Sequence, residues 1–272
     1  MRLDVKWPTR LRLQYIEIMA FYTGVVTRSD VAKAFGISDA AATKDLKLYG
    51  GLAPGNLTYT HSLFGFVPTA SFVPAFADLS PAAVLPVIAA NLAIAGGPYG
   101  TQPIYGLETA SLPLPTRLPG QQVLAQVTRA MHNRRKLKVS YRSLSDRESQ
   151  EERILEPHAL VNTGIRWHVR AYSESTCDFR DFVLSRLIWA QCSEEPAESS
   201  VYYDDDWVEL VCLELTPHTG LDLQKQESLL LDYGAAGQII EVKVRRALIG
   251  YVLQRLNVDT TVDHTLNPSA YQ

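Results

Sequence analysis

Apolar positions follow a helical period at the N-terminus and a strand-like alternation through much of the rest, and the changes of period mark out the elements. Leu11, Leu13, Ile16, Ile18, Met19 and Tyr22 form a broad stripe behind Pro8, a favoured first-turn residue, which predicts a helix over residues 8–22 ending near Gly24. Thr27-Arg28-Ser29-Asp30 has the form of a reciprocal N-terminal cap, and Val31, Ala34 and Phe35 follow at core spacing until Gly36 breaks the helix. Ser38 then caps a third helix, with Leu46 and Tyr49 on its inward face and Asp39, Ala42, Thr43, Lys44 and Lys47 nearer the outside. Pro54-Gly55-Asn56 leads into two strand-like runs, Leu57 to His61 and Leu63 to Pro68. Helix, glycine-containing turn, helix and hairpin is the pattern of a winged helix-turn-helix, with the Ser38 to Leu48 helix in the recognition role. Any small three-helix packing would share the first part of that pattern.

Residues 71–118 are poor in charge and rich in Pro and Gly, with one helical insert that begins at Ser80-Pro81, ends at Gly96-Gly97 and carries Val84, Leu85, Ile88, Leu92 and Ile94. The segment is too apolar for a free linker and is expected to bridge domains or subunits. Residues 119–196 open with a helix from Gly120 to about Arg135. Strands follow over Lys136 to Ser143, Leu155 to Val161, Trp167 onward and Phe182 to Trp189, which suggests a small, strongly bent sheet or partial barrel. Residues 197–272 read as a small α+β unit: strand Glu209 to Thr216, helix Leu221 to Leu231, strand Gln238 to Val244 and helix Arg246 to Leu256.

The alternation is most informative at Gly164-Ile165-Arg166-Trp167-His168-Val169-Arg170-Ala171-Tyr172. In an extended strand Trp167, Val169 and Ala171 point one way and Arg166, His168 and Arg170 the other, which predicts one core face and one cationic face. Arg180 and Arg186 share a parity with Phe182 and Leu184 in the next run, and the combined surface has the make-up of an anion site. The same arginines could lie on an exposed sheet face with their stems over apolar neighbours, and Glu174, Asp178 and Asp181 are near enough in sequence to neutralise part of the set.

Composition narrows the class. An apolar fraction of 46% supports real cores, and the longest apolar stretch, Ala82 to Ala95, is interrupted by Pro86 and Asn91 and falls short of the roughly 20 residues that span a bilayer. No membrane partner is expected, and no apolar run follows the basic start to suggest a secretory signal. Cys177, Cys192 and Cys212 have no C-x-x-C spacing, so a disulfide framework and a zinc site are both disfavoured and the expected compartment is a reducing cytoplasm. Neither metal nor cofactor is expected. The net charge of −3 conceals its distribution: residues 1–70 carry 8 basic and 5 acidic side chains, 71–116 carry 0 and 2, 117–192 carry 13 and 8, and 193–272 carry 5 and 14. Two basic segments can bind polyanions locally, while the acidic C-terminal part makes DNA contact there improbable and association its default role, most simply as a two-fold dimer.

On this reading Arg10, Arg12, Arg28, Lys33, Lys44 and Lys47 supply phosphate contacts. Ser38 opens the recognition helix, Thr43 and Lys44 reach base edges, and Ala41 or Ala42 touches a thymine methyl. The helix holds no Arg, Asn or Gln for bidentate base recognition, so specificity would lean on DNA shape or on the wing. A nuclease or phosphodiesterase is the rival enzyme class, because His158 and His168 stand near acidic residues. The chain has no H-E-x-x-H, G-x-S-x-G or Walker A motif, and no enzyme is expected. A nucleic-acid-binding adaptor or sensor without operator binding is the other alternative.

The run Leu155-Glu156-Pro157-His158, then Gly164-x-x-Trp167-His168-Val169-x-Ala171-Tyr172, then Arg180-x-Phe182-x-x-Ser185-Arg186-Leu187 resembles the WYL domain of bacterial transcription regulators. The naming tripeptide Trp-Tyr-Leu is here Trp167-His168-Val169. With the winged helix in front and the extension behind, the chain is similar over nearly its whole length to phage-defence-island repressors of the BrxR and CapW type. Pro217-His218, Asp232-Tyr233-Gly234 and Val244-Arg245-Arg246-Ala247 carry the likeness at the C-terminus. The resemblance implies an α+β multidomain chain: a winged helix-turn-helix (1–70), a connector (71–118), an Sm-like bent sheet of WYL type that senses a ligand (119–196) and a C-terminal dimerisation domain (197–272). It implies a homodimeric repressor of a phage-defence operon that holds an inverted-repeat, double-stranded DNA operator and responds to a nucleic acid or nucleotide ligand. Carried over by motif, the ligand pocket falls on Tyr141, Ser143, His158, His168, Arg170, Arg180 and Arg186, with Trp167 in the core.

Overall fold

The computed structural model describes residues 5–94, 105–107, 109–110, 112, 115, 117–144 and 151–261. Their contacts divide into two compact units, Met1–Leu114 and Pro115–Gln272. Among the described residues no helix is long and apolar enough to cross a membrane.

The first unit contains helices α1 (Trp7–Thr23), α2 (Arg28–Phe35) and α3 (Asp39–Leu52), strands β1 (Leu57–Thr60) and β2 (Gly65–Pro68), and helix α4 (Pro81–Ile94). Local chemistry accounts for the helix ends. Pro8 sits in the first turn of α1, and Gly24 terminates it in the left-handed conformation (φ 79°), donating its N–H to Ala20. Thr27 and Asp30 cap α2 reciprocally: the Asp30 N–H reaches Thr27 Oγ1 at 3.2 Å and the Thr27 N–H reaches Asp30 Oδ2 at 2.8 Å. Ser38 Oγ accepts from the Ala41 N–H and caps α3. The core joins Leu13, Ile16, Val26, Val31, Leu46 and Tyr49, and it includes Ala42, which is fully buried rather than outward. Ala42 precedes Leu46 by four residues and Tyr49 by seven, so it lies on the same helical stripe as both.

Residues beyond 70 belong to this unit, and part of the apolar segment expected to bridge domains or subunits is core of the first unit. Glu17, fully buried in α1, accepts backbone N–H groups from Ala75 (2.8 Å), Phe76 (2.9 Å) and Ala77 (2.7 Å) and the hydroxyl of Tyr49 (3.1 Å). Asn56 extends the network, donating to the Tyr49 oxygen and to the Val73 carbonyl. Phe76, Val84 and Ile88 then pack into the helical core. Gly96-Gly97, expected to end α4, lies outside the described residues.

The second unit contains α5 (Gln121–Asn133), β3 (Arg135–Tyr141), β4 (Glu151–Asn162), β5 (Trp167–Ser173), β6 (Asp178–Val183), β7 (Leu187–Pro196), α6 (Asp205–Val208), β8 (Leu210–Leu215), α7 (Leu223–Asp232), β9 (Ile240–Arg245) and α8 (Ile249–Arg255). Strands β3 to β7 form one antiparallel sheet in the order β6-β5-β4-β3-β7, and register shifts in the β4–β5 and β3–β7 pairings bend it. Helix α5 covers one face through Val123, Val127 and Ala130, which meet Leu137, Val139, Leu155, Val169 and Ala171. Strands β8 and β9 pair separately.

Two expectations change here. Residues 182–189 are not one strand, because a 3₁₀ turn at Leu184–Arg186 separates β6 from β7. Leu184 and Leu187 are both buried, and residues three apart share a side of a 3₁₀ turn but lie on opposite faces of a strand. Trp167 opens β5 beyond the edge of the core and is 37% exposed, whereas Val169 and Ala171 are fully buried as expected.

Candidate nucleic-acid and ligand interfaces

The outward surface of the first unit is built on α3 and the starts of its neighbours. Lys44 and Lys47 are exposed on α3, beside exposed Ala40, half-buried Ala41 and half-buried Thr43, whose hydroxyl donates to the Asp39 carbonyl. Arg10 and Ser38 are exposed, as is Arg28, which holds a loose ion pair with Asp39 (3.3 Å). Lys33 is exposed on α2. Two expected contacts fall away. Arg12 crosses from α1 to α3 and forks onto Asp45 (Nε–Oδ2 2.6 Å, Nη2–Oδ1 3.3 Å), so its charge is neutralised within the fold. Ala42 is enclosed by the core, which leaves Ala40 and Ala41 as the small residues available to a thymine methyl.

The seven expected ligand residues do not form one pocket. Tyr141 faces the α5 side of the sheet, 8% exposed and edge-to-face with Phe182, and accepts the Val183 N–H. Ser143 lies beyond the end of β3, half-buried. Arg180 is exposed and loosely paired with Asp178 at 3.6 Å. His158, His168 and Arg170 do come together, on the opposite face, but this face is not an open cationic surface. Arg170 is 5% exposed, with Nε 2.6 Å from Asp204 Oδ2, Nη2 2.7 Å from Asp204 Oδ1 and Nη1 3.3 Å from Asp181. Asp181 is its cross-strand partner on β6, and Asp204 arrives from the segment between β7 and α6. The cationic-face expectation is therefore corrected: the C-terminal part of the unit covers this face and supplies its counter-charge.

Asp204 is a junction. His158 Nε2 lies 2.9 Å from its Oδ2, and the Trp207 N–H donates to Oδ1 as the cap of α6. Burial would raise the Asp204 carboxyl, yet the Arg170 fork and His158 outweigh it and hold Asp204 below the ordinary carboxylate value. The ring of His158 lies between Phe179 and Trp207, and burial pushes its proton affinity down despite Asp204. From α8, the Tyr251 hydroxyl donates to Asp181 (3.1 Å), and burial together with that carboxylate pushes Tyr251 up to about 12. Gly164, in the left-handed region (φ 79°), brings the β4–β5 turn so close to α8 that a Cβ there would meet the Arg255 guanidinium at 2.8 Å.

A corner beside this strap keeps free positive charge. Arg166 and Arg186 are half-buried, and neither is paired with a carboxylate among the described residues. Near both is His168, 2% exposed and tilted against the Tyr251 ring at 5.0 Å, whose Nδ1 has no hydrogen-bond partner. Burial, then Arg166 and Arg186, lowers its proton affinity. Sequence reasoning passed over Asp204, Tyr251 and Trp207, which reach this face from far along the chain; Asp181 was legible from the β5–β6 register. A cleft of about 560 Å³ elsewhere on the unit, lined in part by Lys136, Glu156, Glu174 and Glu198, has the wrong sign for a polyanion, because Lys136 is already bound to Glu174 at 2.7 Å and Glu198 at 3.3 Å.

Three family models match the chain: the BrxR transcriptional regulator winged helix-turn-helix domain over residues 8–90, the WYL domain over 122–191, and the BrxR transcriptional regulator C-terminal dimerization domain over 210–272. The chain is 32% identical to the DNA-binding transcriptional repressor CapW of Escherichia coli (strain KTE188) across 280 residues, covering 100% of this chain and 90% of the relative. It is equally similar, at 32%, to CapW of Pseudomonas aeruginosa (95% of this chain, 86% of the relative) and of Stenotrophomonas maltophilia (94% and 85%). Since the likeness runs from the winged helix through the bent sheet to the C-terminal strands and helices, the chain belongs to the CapW family of DNA-binding transcriptional repressors.

Proposed function

We propose that this chain is a homodimeric repressor of a phage-defence operon that grips an inverted-repeat operator and releases it when a nucleic acid or nucleotide binds the second unit. Two α3 helices enter successive major grooves about 34 Å apart, held by Lys44, Lys47, Arg10 and Arg28 at phosphates. The observation that carries the sensing half is the corner at His168: a buried ring nitrogen without a hydrogen bond, with two arginines near enough to lower its proton affinity and without carboxylate partners among the described residues. Guanidinium forks bind phosphate oxygens in pairs, and the edge of His168 can take a hydrogen bond from or to the same ligand. The corner adjoins Tyr251 and, through Asp181, the Arg170–Asp204 strap, so an anion drawn to it competes with carboxylates that tie the sheet to the C-terminal elements. Ligand then favours an opened strap and operator the closed one, which is the differential affinity that control requires.

The test is release of a fluorescent promoter duplex by a short single-stranded oligonucleotide, a nucleotide and inorganic phosphate in separate titrations. Arg186→Ala is expected to bind the duplex normally and to resist release by whichever anion works on the unaltered protein. Normal release from Arg186→Ala would overturn the assignment of the corner.

A further inference from the structure

The wing between β1 and β2 carries no charge. From Asn56 to Thr69 there is no Asp, Glu, Lys or Arg, so the wing has no cation with which to hold phosphate. Its tip is apolar instead: Leu63 is 53% exposed and Phe64 78%, the ring standing clear of the core. Phe64 also lies in the left-handed region (φ 47°), which a bulky side chain rarely adopts. Among the described residues nothing covers the ring, so the fold carries both the exposure and the backbone cost without return.

The tip is held rigidly at the edge of the DNA-facing surface. Val26 and Phe66 exchange backbone hydrogen bonds at 2.9 Å each, which docks β2 onto the turn before α2. Gly65 makes that docking possible, since a Cβ there would meet Val25 Cγ2 at 2.6 Å and the Val26 carbonyl at 3.2 Å. Two residues after Val26, Arg28 pairs with Asp39 at the start of α3, so the turn that carries the wing is also tied to the recognition helix. On the outward side of β1 Tyr59 is exposed and packs edge-to-face on His61, backing the tip with a second aromatic layer.

We propose that Phe64, supported by Leu63, is an apolar wedge that enters the minor groove next to each half-site, unstacks one base step and bends the operator. Exposed apolar side chains inserted between base steps are the means by which uncharged protein tips kink a duplex, and the cost is least at flexible pyrimidine–purine steps. Such a wedge supplies the selectivity that α3, without Arg, Asn or Gln on its outward face, lacks. The inference rests on the reading of the first unit as the operator-gripping module.

The experiment uses the full chain and a duplex it selects from a random pool, with 2-aminopurine placed step by step across each half-site and dyes at the ends to report bending. The unaltered protein is expected to brighten 2-aminopurine at one step per half-site and to shorten the end-to-end distance. Phe64→Asn suits the left-handed backbone and so protects the fold. It is expected to abolish both signals and to weaken binding on the order of a hundredfold, the scale of two lost aromatic–base contacts, one per half-site. Binding without unstacking or bending by the unaltered protein overturns the wedge while leaving the DNA reading intact. So does a Phe64→Asn protein that bends DNA normally, or one that loses only the assembly of several dimers on one duplex, which would make the tip a protein contact. Failure of the unaltered protein to select any duplex overturns the DNA reading and the wedge with it.

Discussion

Asp204→Ala is the most direct perturbation of the second unit. The carboxylate receives two hydrogen bonds from Arg170, one from the Trp207 N–H and a contact from His158, and it is 2% exposed. Its removal leaves the Arg170 guanidinium in place, 5% exposed, with only the longer Asp181 contact at 3.3 Å. Removing one member of a buried ion pair costs about 3–5 kcal/mol, because the remaining charge is uncompensated. The Asp181 contact puts the expected loss near the lower bound, about 3 kcal/mol. Urea unfolding of the full chain, followed by hydrogen exchange of β5 and β6 amides, measures it.

The accompanying control separates loss of a partner from loss of packing. Arg170→Met with Asp204→Leu removes both charges and keeps apolar volume, and is expected to recover most of the stability lost in Asp204→Ala. A loss under about 1 kcal/mol in Asp204→Ala, the range of exposed ion pairs, would refute the claim that this strap is a buried junction. A double variant no more stable than the single one would refute the charge argument specifically.

The remaining expectations follow from other groups. Glu17→Ala orphans three backbone N–H groups and the Tyr49 hydroxyl, each costing about 1–3 kcal/mol if left dry, and should lower the thermal stability of the first unit by at least about 4 kcal/mol; a fall below 1 kcal/mol would show that water replaces the carboxylate. His158 and His168 are held neutral below their ordinary value of 6.5, so the unfolded chain takes up protons there that the fold refuses. Stability is therefore full above pH 6.5 and declines as pH falls through the depressed folded values, and Asp204, held below 3.8, adds a loss of the same sign on further acidification. His158→Gln with His168→Gln should flatten the first decline, and urea midpoints that do not move between about pH 5 and pH 8 would contradict it. Lys44→Ala should weaken operator binding and reduce the slope of log affinity against log salt by about one, and an unchanged slope removes Lys44 from the phosphate contacts.

What could be read from the sequence was what local chemistry specifies. The Thr27–Asp30 cap, the Gly24 stop, the hairpin after Asn56 and the inward parity of Val169 and Ala171 all rest on neighbours within a few residues. The errors at Arg12 and on the β5 face share one cause, because they turn on partners far along the chain. Arg12 looks like a surface cation until Asp45, 33 residues away, arrives beside it. Alternation places His168 and Arg170 on one face correctly but is silent on what covers that face, and Asp204 lies 34 residues beyond Arg170. Glu17 had a signal that went unused: a carboxylate sits one helical turn from Leu13, within the apolar stripe, and a charge there demands buried donors. Ala42 was misplaced because alanine is equally at home on either face, although its spacing from Leu46 and Tyr49 decided the matter.

The strength of the strap bears on how a ligand could control this repressor. In the proposed scheme a ligand at the His168 corner must open the strap before it gains its own contacts, so its apparent affinity is weaker than its affinity for an already opened protein in proportion to the fraction of chains that are open. A lone phosphate meeting one arginine gains too little to displace a carboxylate that already forks onto Arg170 and touches His158. A ligand presenting several phosphates can engage Arg166 and Arg186 together, and only then does the balance turn. In that scheme the strap sets a threshold that favours ligands with several phosphates over small anions. Asp204→Asn, which keeps the shape of the junction and removes its charge, should lower that threshold and let shorter oligonucleotides release the operator; by reciprocity the same variant should hold the operator less firmly when ligand is present. If chain length needed for release is the same in Asp204→Asn as in the unaltered protein, the strap is structural and the threshold lies elsewhere.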